Sequence, residues 1–318
     1  QPEVLQVHQR QVAGTGLGSN GDGVHSITEN GTTKSSSEKT LSSYAAYLQD
    51  EIEYGKWFIV PAIRYDHHSA YGSHTSPKIG VTYNATDHFR IKANYGDGFK
   101  APSVSQLYYD LAMQMGQNWV HLTGNPNLKP EKSKSWDLGV EAEFGKGYGS
   151  LTYFDNDVDN LIASIYKRKD GRYDLYRYEN VNKARIKGLE NTLGYRFNDT
   201  LEFKVTSTLL DAKDTSAGKD LTQRARLSQI YQLIYDDHKD TGWSAVLWNQ
   251  LDYKFVTGKA WESGESVKKS YSLTNFSLTR KVNKDTRVYG SVQNIFDKKD
   301  EDCDLDGRFW SIGWEHKF

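Results

Sequence analysis

The chain of 318 residues lacks any apolar run near the roughly 18 to 20 residues that a transmembrane helix needs. It has a single cysteine, Cys303, which excludes an internal disulfide and any multi-cysteine metal site. The formal net charge of -1 gives no basic footprint, so we expect no nucleic-acid partner. No glycine-rich phosphate loop, nucleophile elbow or zinc-protease motif occurs either. We therefore predict no catalytic residues, no metal site and no enzyme activity.

The chain also lacks a signal peptide and begins inside what reads as a strand, so we interpret it as a fragment. Its polar average does not make it a soluble protein. Strands of a membrane β-barrel alternate lipid-facing apolar residues with lumen-facing polar ones, which lowers the average hydropathy. Aromatic residues are abundant, with 21 Tyr, 12 Phe and 8 Trp. This composition favours a large antiparallel β structure with aromatic girdles.

Alternation with a period of two is the clearest local signal. In 135–144 one face is apolar and the other polar, and the apolar residues are Trp136, Leu138, Val140, Ala142 and Phe144. The segments 76–85 and 88–95 alternate in the same way, and in 201–209 only Ser207 breaks the apolar face. The segments 241–256 and 270–281 alternate poorly, which predicts β-bulges there.

The connections between the predicted strands fall into two groups by length. We expect short turns at 84–88, 144–149, 198–200, 236–240 and 283–285, and long polar loops at 10–40, 98–132, 158–182, 213–221, 257–269 and 297–307. A soluble sandwich also alternates, but only an outer-membrane barrel sorts its connections so that short turns lie at one rim. An even strand number then places the C-terminus on the short-turn, periplasmic side.

This segmentation predicts about fourteen strands. They lie near 1–9, 41–53, 57–67, 76–85, 88–97, 133–144, 148–158, 183–197, 200–212, 222–235, 241–256, 270–281, 285–296 and 308–318. Open strand edges do not survive in lipid. Either the chain closes on itself, or strands are missing before Gln1.

Several ordered blocks carry a family resemblance. They read NYGDGFKAP at 94–102, GNPNLKPEKSKSWDLGVE at 124–141, LTYFDNDVDNLI at 151–162, NVNKARIKGLE at 180–190 and QNIFDKK at 293–299. In this order they resemble the C-terminal half of TonB-dependent outer-membrane receptors, over most of 40–318.

The resemblance implies an all-β, transmembrane antiparallel barrel of about 22 strands, preceded by a plug domain and a TonB-contacting segment. Neither of these is in this sequence, so 1–318 is expected to be the C-terminal portion of the barrel, with about eight strands absent. The implied function is import of an iron compound, energised by the TonB–ExbB–ExbD complex. Outer-membrane lipid, lipopolysaccharide and the barrel-assembly machinery are the further implied partners.

The motif residues also have an architectural interpretation. Gly98 permits a tight turn, Pro102 ends ladder pairing and Pro126 stiffens the return path. The full motif set is Gly98, Phe99, Lys100, Ala101, Pro102, Asn125, Pro126, Asn127, Leu128, Pro130 and Glu131. The terminal aromatic Phe318 resembles the signal read by the assembly machinery.

Ligand residues are expected in two loops. The segment 159–182 interleaves cations and rings, and its candidates are Lys167, Arg168, Arg172, Tyr173, Tyr176 and Arg177. Charge pairing and cation–π contact would suit an anionic, aromatic ferric catecholate siderophore, which carries the iron itself, so no cofactor is expected. The alternative interpretation is an ordinary loop meeting lipopolysaccharide phosphates.

The segment 98–132 adds Tyr108, Tyr109, Trp119 and His121. Haem receptors often carry an iron-ligating histidine between such blocks, so His121 keeps haem open as cargo. However, Lys100 stands where haem receptors usually have Arg, and cobalamin receptors share these blocks. Remoter alternatives are a passive porin, an outer-membrane enzyme or an adhesion protein. The acidic stretch 302–307 starts like a calcium-binding EF-hand loop, but Gly313 replaces its final Glu, so no calcium site is predicted.

Overall fold

The computed structural model describes residues 8–21, 25–29, 32–37, 40–115, 118–221, 224–257, 267–303 and 305–317. These residues are almost entirely β-strand. The strands are β1 His8–Gly21, β2 His25–Glu29, β3 Thr32–Ser37, β4 Thr40–Tyr54, β5 Trp57–His68, β6 Gly72–Thr86, β7 Phe89–Lys100, β8 Asp110–Met115, β9 Asn118–Thr123, β10 Glu131–Phe144, β11 Gly147–Asp170, β12 Tyr173–Arg196, β13 Leu201–Asp214, β14 Lys219–Asp220, β15 Leu227–Asp236, β16 Trp243–Val256, β17 Lys268–Lys281, β18 Thr286–Gln293, β19 Lys299–Asp300, β20 Leu305–Asp306 and β21 Phe309–His316. A short helix, α1 Val104–Tyr108, and a 3-10 turn, Glu301–Cys303, complete the secondary structure. No helix among these residues is long and apolar enough to cross a bilayer.

One continuous antiparallel sheet forms the body of the molecule. Its strand order is β1, β4, β5, β6, β7, β10, β11, β12, β13, β15, β16, β17, β18 and β21. The prediction of a fourteen-strand antiparallel sheet is therefore confirmed. No ladder joins β1 to β21 in the described part of the chain, so the barrel is partial.

The two faces of the sheet differ in polarity because side chains alternate along each strand. On the outer face large apolar side chains stay exposed; Leu138 is 51% and Leu193 56% exposed. On the inner face charged side chains pair across strands. Glu141 contacts Arg90 and Lys92, each at 2.5 Å between nitrogen and oxygen. This is the division expected of a wall that meets lipid outside and a polar lumen inside.

Aromatic side chains mark both borders of the apolar outer face. Trp57, Phe89, Phe144, Tyr195 and Trp243 lie beside the short turns. Tyr65, Tyr95, Trp136 and Tyr253 lie toward the opposite ends of the strands. Amphipathic rings at both borders are typical of the two interfaces of a bilayer. We call the first border the short-turn rim and the second the long-connection rim.

Some predicted boundaries were wrong. The first strand lies at His8–Gly21 rather than 1–9, of which 1–7 fall outside the described residues. Most of the expected loop 10–40 is strand, because β2 and β3 form a hairpin there. Its Gly-, Ser- and Thr-rich sequence has no apolar alternation that would have revealed this. The β5–β6 connection at the long-connection rim is also short, since His68 pairs with Gly72.

The prediction of a loop at 158–182 was also wrong, and this error bears on the candidate site. β11 and β12 continue as a paired hairpin up to Asp170 and Tyr173. The expected loop 98–132 likewise contains α1 and the β8–β9 hairpin. A register shift occurs in β16 between Asp252 and Phe255, which confirms the bulge predicted in 241–256. The register of 271–281 is regular, so the second expected bulge is not found there.

Candidate functional site

A small sheet stands beyond the long-connection rim. β9 pairs in parallel with the outer part of β12, so that Trp119–Thr123 lies beside Tyr173–Arg177. β8 and the outer part of β11 extend this sheet on either side. We call these four segments the rim sheet. The β9–β12 pairing joins the two segments in which the sequence predicts ligand residues.

The helix α1 anchors the rim sheet to the barrel. Ser103 and Gln106 form a capping box, since each side chain bonds the backbone N–H of the other residue at 3.0–3.2 Å. Pro102 before it is fully buried. A Cβ at Gly124 would lie 2.6 Å from the Leu107 backbone, so only glycine allows the chain to return this close to α1.

The motif residues hold the rim sheet against the start of β10. The Glu131 carboxylate contacts Lys100 Nζ at 3.2 Å and accepts a hydrogen bond from the Ile162 N–H at 2.9 Å. The Asn180 side chain accepts from the Lys129 N–H at 2.8 Å and donates to the Lys129 carbonyl at 2.9 Å. Leu128, which precedes Lys129, is buried against Leu107 and Ile162. These contacts fix the position of the rim sheet relative to the wall.

A cluster of one cation and several rings occupies one face of the rim sheet. The Arg172 guanidinium lies 4.0 Å from the centroid of Trp119 and 5.1 Å from that of Tyr173. The two rings meet edge-on at 5.7 Å. His121 meets the Tyr173 ring at 6.3 Å, and its Nε2 lies 2.6 Å from Asp110 Oδ1. We call these five residues the cation–aromatic cluster.

The opposite face carries tyrosines over a small apolar core. Leu107, Leu128 and Ile162 form this core, and Tyr108 and Tyr178 pack against it. On the same face Tyr166 and Tyr176 meet edge-on at 5.5 Å. Burial raises the pKa of Tyr176, and the nearby Asp174 carboxylate raises it further. Its phenol therefore stays protonated and able to donate a hydrogen bond.

The remaining candidates lie apart from the cluster. Lys167 pairs with Glu179 at 2.5 Å, and Arg177 donates to Asn125 Oδ1 at 3.4 Å. Arg168 is 73% exposed, and its guanidinium is 3.9 Å from the Asp170 carboxylate. Tyr109 directly follows α1. The predicted residues are thus divided between two faces of the rim sheet.

Two acidic residues of the site were not predicted from the sequence. Asp110 holds His121, and Glu179 neutralises Lys167. Their partners are fixed by strand pairing, which no local sequence signal reveals. The prediction at Phe318 falls outside the described residues. In the part of the chain that the structure describes, no three His, Cys, Asp or Glu side chains are grouped to hold a metal ion.

Comparison with known proteins shows which family has this architecture. A family model described as "TonB dependent receptor-like, beta-barrel" matches residues 6–295. The chain belongs to the TonB-dependent receptor family. This is a family of the outer membrane.

Curated relatives differ in their printed cargo. The vitamin B12 transporter BtuB of Photobacterium profundum is 29% identical over 86% of this chain and 42% of its own length. The ferric enterobactin receptor of Pseudomonas aeruginosa is 28% identical over 83% of this chain and 38% of its own length. The ferrienterobactin receptor of Escherichia coli is 27% identical over 93% and 41%. The chain thus spans about two fifths of these relatives, which are transport receptors rather than enzymes.

Solved structures share the fold. A mutant of the ferric enterobactin receptor PfeA from Pseudomonas aeruginosa, in complex with enterobactin, aligns with a TM-score of 0.71 at 23% identity. That alignment covers 98% of this chain and 52% of the other. The copper transporter OprC aligns with a TM-score of 0.73 at 17% identity, over 98% and 54%. One barrel therefore serves unlike cargoes, and the fold alone does not select among them.

Proposed function

We propose that this chain is the ligand-gathering part of an outer-membrane receptor that imports a ferric, catecholate-type siderophore with energy delivered through TonB. The observation that carries the proposal is the cation–aromatic cluster on the rim sheet. Arg172 stacks on Trp119 and Tyr173 beyond the long-connection rim. A ligand that is both anionic and aromatic gains from a cation and from ring faces at the same place.

The proposed orientation follows from the two rims. The long-connection rim faces the outside, where the ligand arrives, and the short turns and the C-terminus face the periplasm. Energy transfer involves the TonB–ExbB–ExbD complex, acting through a plug domain and a TonB-contacting segment that precede this barrel portion. Lipopolysaccharide surrounds the wall, and Phe318 serves insertion by the barrel-assembly machinery. The iron travels within the ligand.

The relatives support an iron cargo and keep cobalamin as a second candidate. Two of the three relatives described above are receptors for ferric enterobactin by name, whereas the third is a vitamin B12 transporter. Haem is less well supported. The Nε2 of His121 is engaged by Asp110 at 2.6 Å, so ligation of haem iron through this atom would first break that contact.

The test is a titration of the full-length receptor in detergent with a ferric catecholate siderophore, cyanocobalamin and haemin. Tryptophan fluorescence quenching, corrected for ligand absorption, reports binding. We expect saturable siderophore binding that weakens about tenfold in Arg172→Gln, the equivalent of about 1.4 kcal/mol. Arg168→Gln, also in the rim sheet, should weaken binding less.

The matched control is Lys239→Gln, which removes one exposed positive charge at the opposite rim and should leave affinity unchanged. Tight binding of cyanocobalamin alone would replace the siderophore with a corrinoid cargo. Haemin binding abolished by His121→Ala would move haem into first place. An Arg172→Gln receptor with unchanged siderophore affinity would remove the cluster from the ligand site.

A further inference from the structure

A single arginine lies among the aromatic residues of the short-turn rim. Arg280 on β17 pairs with Trp243 on β16 and with Val288 on β18, whose exposed side chains mark the outer face. Its guanidinium lies over the Trp243 ring, with 4.9 Å between Cζ and the ring centroid. By strand alternation, no other lysine or arginine of the described strands β5 to β18 lies on the outer face at this rim. One isolated positive charge thus lies at the border of the apolar outer face.

The chain does not neutralise the charge of Arg280. Within the described residues, its guanidinium takes part in no salt bridge or hydrogen bond. The two carboxylates at the adjoining β15–β16 connection have other partners. Asp236 lies 3.4 Å from Lys281 Nζ, and Asp237 accepts a hydrogen bond from the Trp243 N–H at 2.9 Å. Because a guanidinium binds phosphate oxygens through two parallel N–H groups, Arg280 offers a place for a phosphate at this border.

A groove opens next to Arg280 on the same face. Gly290 forms its floor between Leu278 and Ile312, which flank it on the two neighbouring strands. A Cβ at Gly290 would meet only a backbone carbonyl oxygen, at an ordinary 3.7 Å, so the space above the glycine is open. Trp310 and Ile312 project along one side, 68% and 86% exposed. The resulting cavity has a volume of about 550 Å³ and a mostly apolar lining that includes Arg280.

The length of the groove matches one leaflet of a bilayer. In the β17–β18 ladder, Val288 is one residue from Arg287, which ends the ladder beside the short turn, whereas Gly290 is three residues away and Val292 five. With a rise of about 3.3 Å per residue and a tilt of about 40°, these positions lie about 3, 8 and 13 Å above the turn. The apolar band of such barrels is about 25 Å tall. The groove therefore runs from the border of the band, where Arg280 lies, to its middle.

The two ends of the groove suit the two parts of a phospholipid. This wall faces the bilayer, which is the source of any molecule that lies against it. An acyl chain over Gly290 contacts the apolar lining, and the phosphate at the border of the band meets Arg280. Mostly apolar cavities of about 300–1,000 Å³ with few polar groups are typical of ligand sites. A lipid with one net negative charge matches the unneutralised guanidinium, whereas a zwitterionic lipid brings its own ammonium group.

We propose that this groove binds one anionic phospholipid of the phosphatidylglycerol type from the leaflet at the short-turn rim. The acyl chain lies over Gly290, between Leu278 and Ile312, and the phosphate contacts Arg280. Only the naming of that leaflet as periplasmic rests on the proposed orientation of the receptor. The lipid fills the space that the glycine leaves and neutralises the arginine, and binding to the folded wall alone also stabilises that wall.

The test is native mass spectrometry of the full-length receptor in detergent, titrated with phosphatidylglycerol. We expect one lipid to bind about tenfold more tightly than those that follow it, and about tenfold more tightly than phosphatidylcholine. Gly290 has no left-handed backbone, so Gly290→Leu fills the groove without backbone strain and should abolish this first binding step. Arg280→Gln should weaken the first step about tenfold for phosphatidylglycerol and much less for phosphatidylcholine.

Two matched variants make similar changes away from the groove. Ala142→Leu adds apolar bulk on the outer face of β10 near the same rim, and Lys146→Gln removes an exposed cation in the β10–β11 turn. Neither should change lipid binding. Heat-modifiable migration in gel electrophoresis checks the folding of every variant. Gly290→Ala fills less of the groove and should weaken the first binding step by a smaller factor than Gly290→Leu.

Two results would overturn the proposal. A first lipid that binds no more tightly than the next, or equally well to Gly290→Leu and to the unmodified receptor, would be annular lipid only. Tighter binding of lipid A than of phosphatidylglycerol would give the groove to a lipid of the other leaflet. No cargo takes part in these measurements, so a failed siderophore titration would count against the proposed function and leave the lipid site intact.

Discussion

Two stretches of the same sheet face the bilayer in different ways. From β5 to β10 the outer face is apolar at every level of the band, as on β10 from Trp136 to Phe144. From β12 to β16 a polar row crosses this face, each member five residues from the short-turn end of its ladder: Asn191, Ser207, Tyr231 and Asn249. Gln229 bonds both Ser207 and Tyr231, and Asn249 bonds Ser272 on β17. The backbone ladders are continuous in both stretches. Strand pairing alone therefore does not require an apolar outer face.

A charge placed in the apolar wall should have the greatest effect on stability. Val140 is 37% exposed at mid-height on β10. We expect Val140→Lys to destabilise the full-length receptor by about 2–4 kcal/mol, because a lysine ammonium at the bilayer midplane has lost its water. Urea unfolding of the receptor in lipid vesicles measures this change in the free energy of unfolding.

The control for that substitution is Thr152→Lys. Thr152 pairs with Gly139 on the inner face, where a lysine meets the polar lumen. A loss of stability as large as that of Val140→Lys would mean that the outer face of this wall does not contact lipid.

A substitution with a smaller effect tests whether the side chains of the polar row satisfy one another by hydrogen bonds. Gln229→Leu removes two hydrogen bonds and leaves Ser207 and Tyr231 without their shared partner. We expect a loss of about 1–3 kcal/mol in unfolding free energy, since unsatisfied polar groups away from water are costly.

The triple variant Ser207→Ala, Gln229→Leu and Tyr231→Phe should recover most of this loss, because it removes the polar groups together. Equilibrium unfolding of both variants in vesicles gives the comparison. If the triple variant is no more stable than Gln229→Leu alone, the three side chains are not energetically coupled.

The smallest expected changes in stability come from substitutions in the short turns next to the two walls. Gly145, between β10 and β11, has φ of 62° with open space around its Cα, whereas His238, between β15 and β16, has φ of 53°. Gly145→Ala should cost about 1 kcal/mol, because a Cβ strains the left-handed conformation.

His238→Gly relieves the same strain but loses the bond from Nε2 to the Asp199 carbonyl at 2.7 Å, so its net effect should be near zero. Thermal unfolding of the two variants, measured side by side, distinguishes these expectations. A larger loss for His238→Gly than for Gly145→Ala would show that the Asp199 contact dominates the second turn.

Periodicity predicted the barrel well where one face is apolar and the other charged. β10 and the segments of β6 and β7 lie close to their expected positions. Periodicity did not predict the strands in which that contrast is weak. β1, which contains four glycines, and the outer parts of β11 and β12 are strands without an apolar alternation. Ladders to β4 and between β11 and β12 pair them.

The site shows the same limit. Arg172, Trp119, Tyr173 and His121 could be selected as candidates from their chemistry and from the resemblance. That they form one cluster, while Lys167 and Arg177 bond elsewhere, depends on the parallel pairing of β9 with β12. Parallel pairing joins segments about fifty residues apart here, and no short-range pattern encodes it.

The sequence by itself determined the fold class, the approximate number of wall strands and the family, because alternation with a period of two and ordered motif blocks are local properties of the chain. The poor alternation of 241–256 already indicated that the second wall is irregular. Only the tertiary structure decided that Ser207, Tyr231 and Asn249 lie at one height beside Asn191, and which residues of the two rim segments meet. Register and strand tilt set these relations, and both are properties of the paired sheet rather than of any single strand.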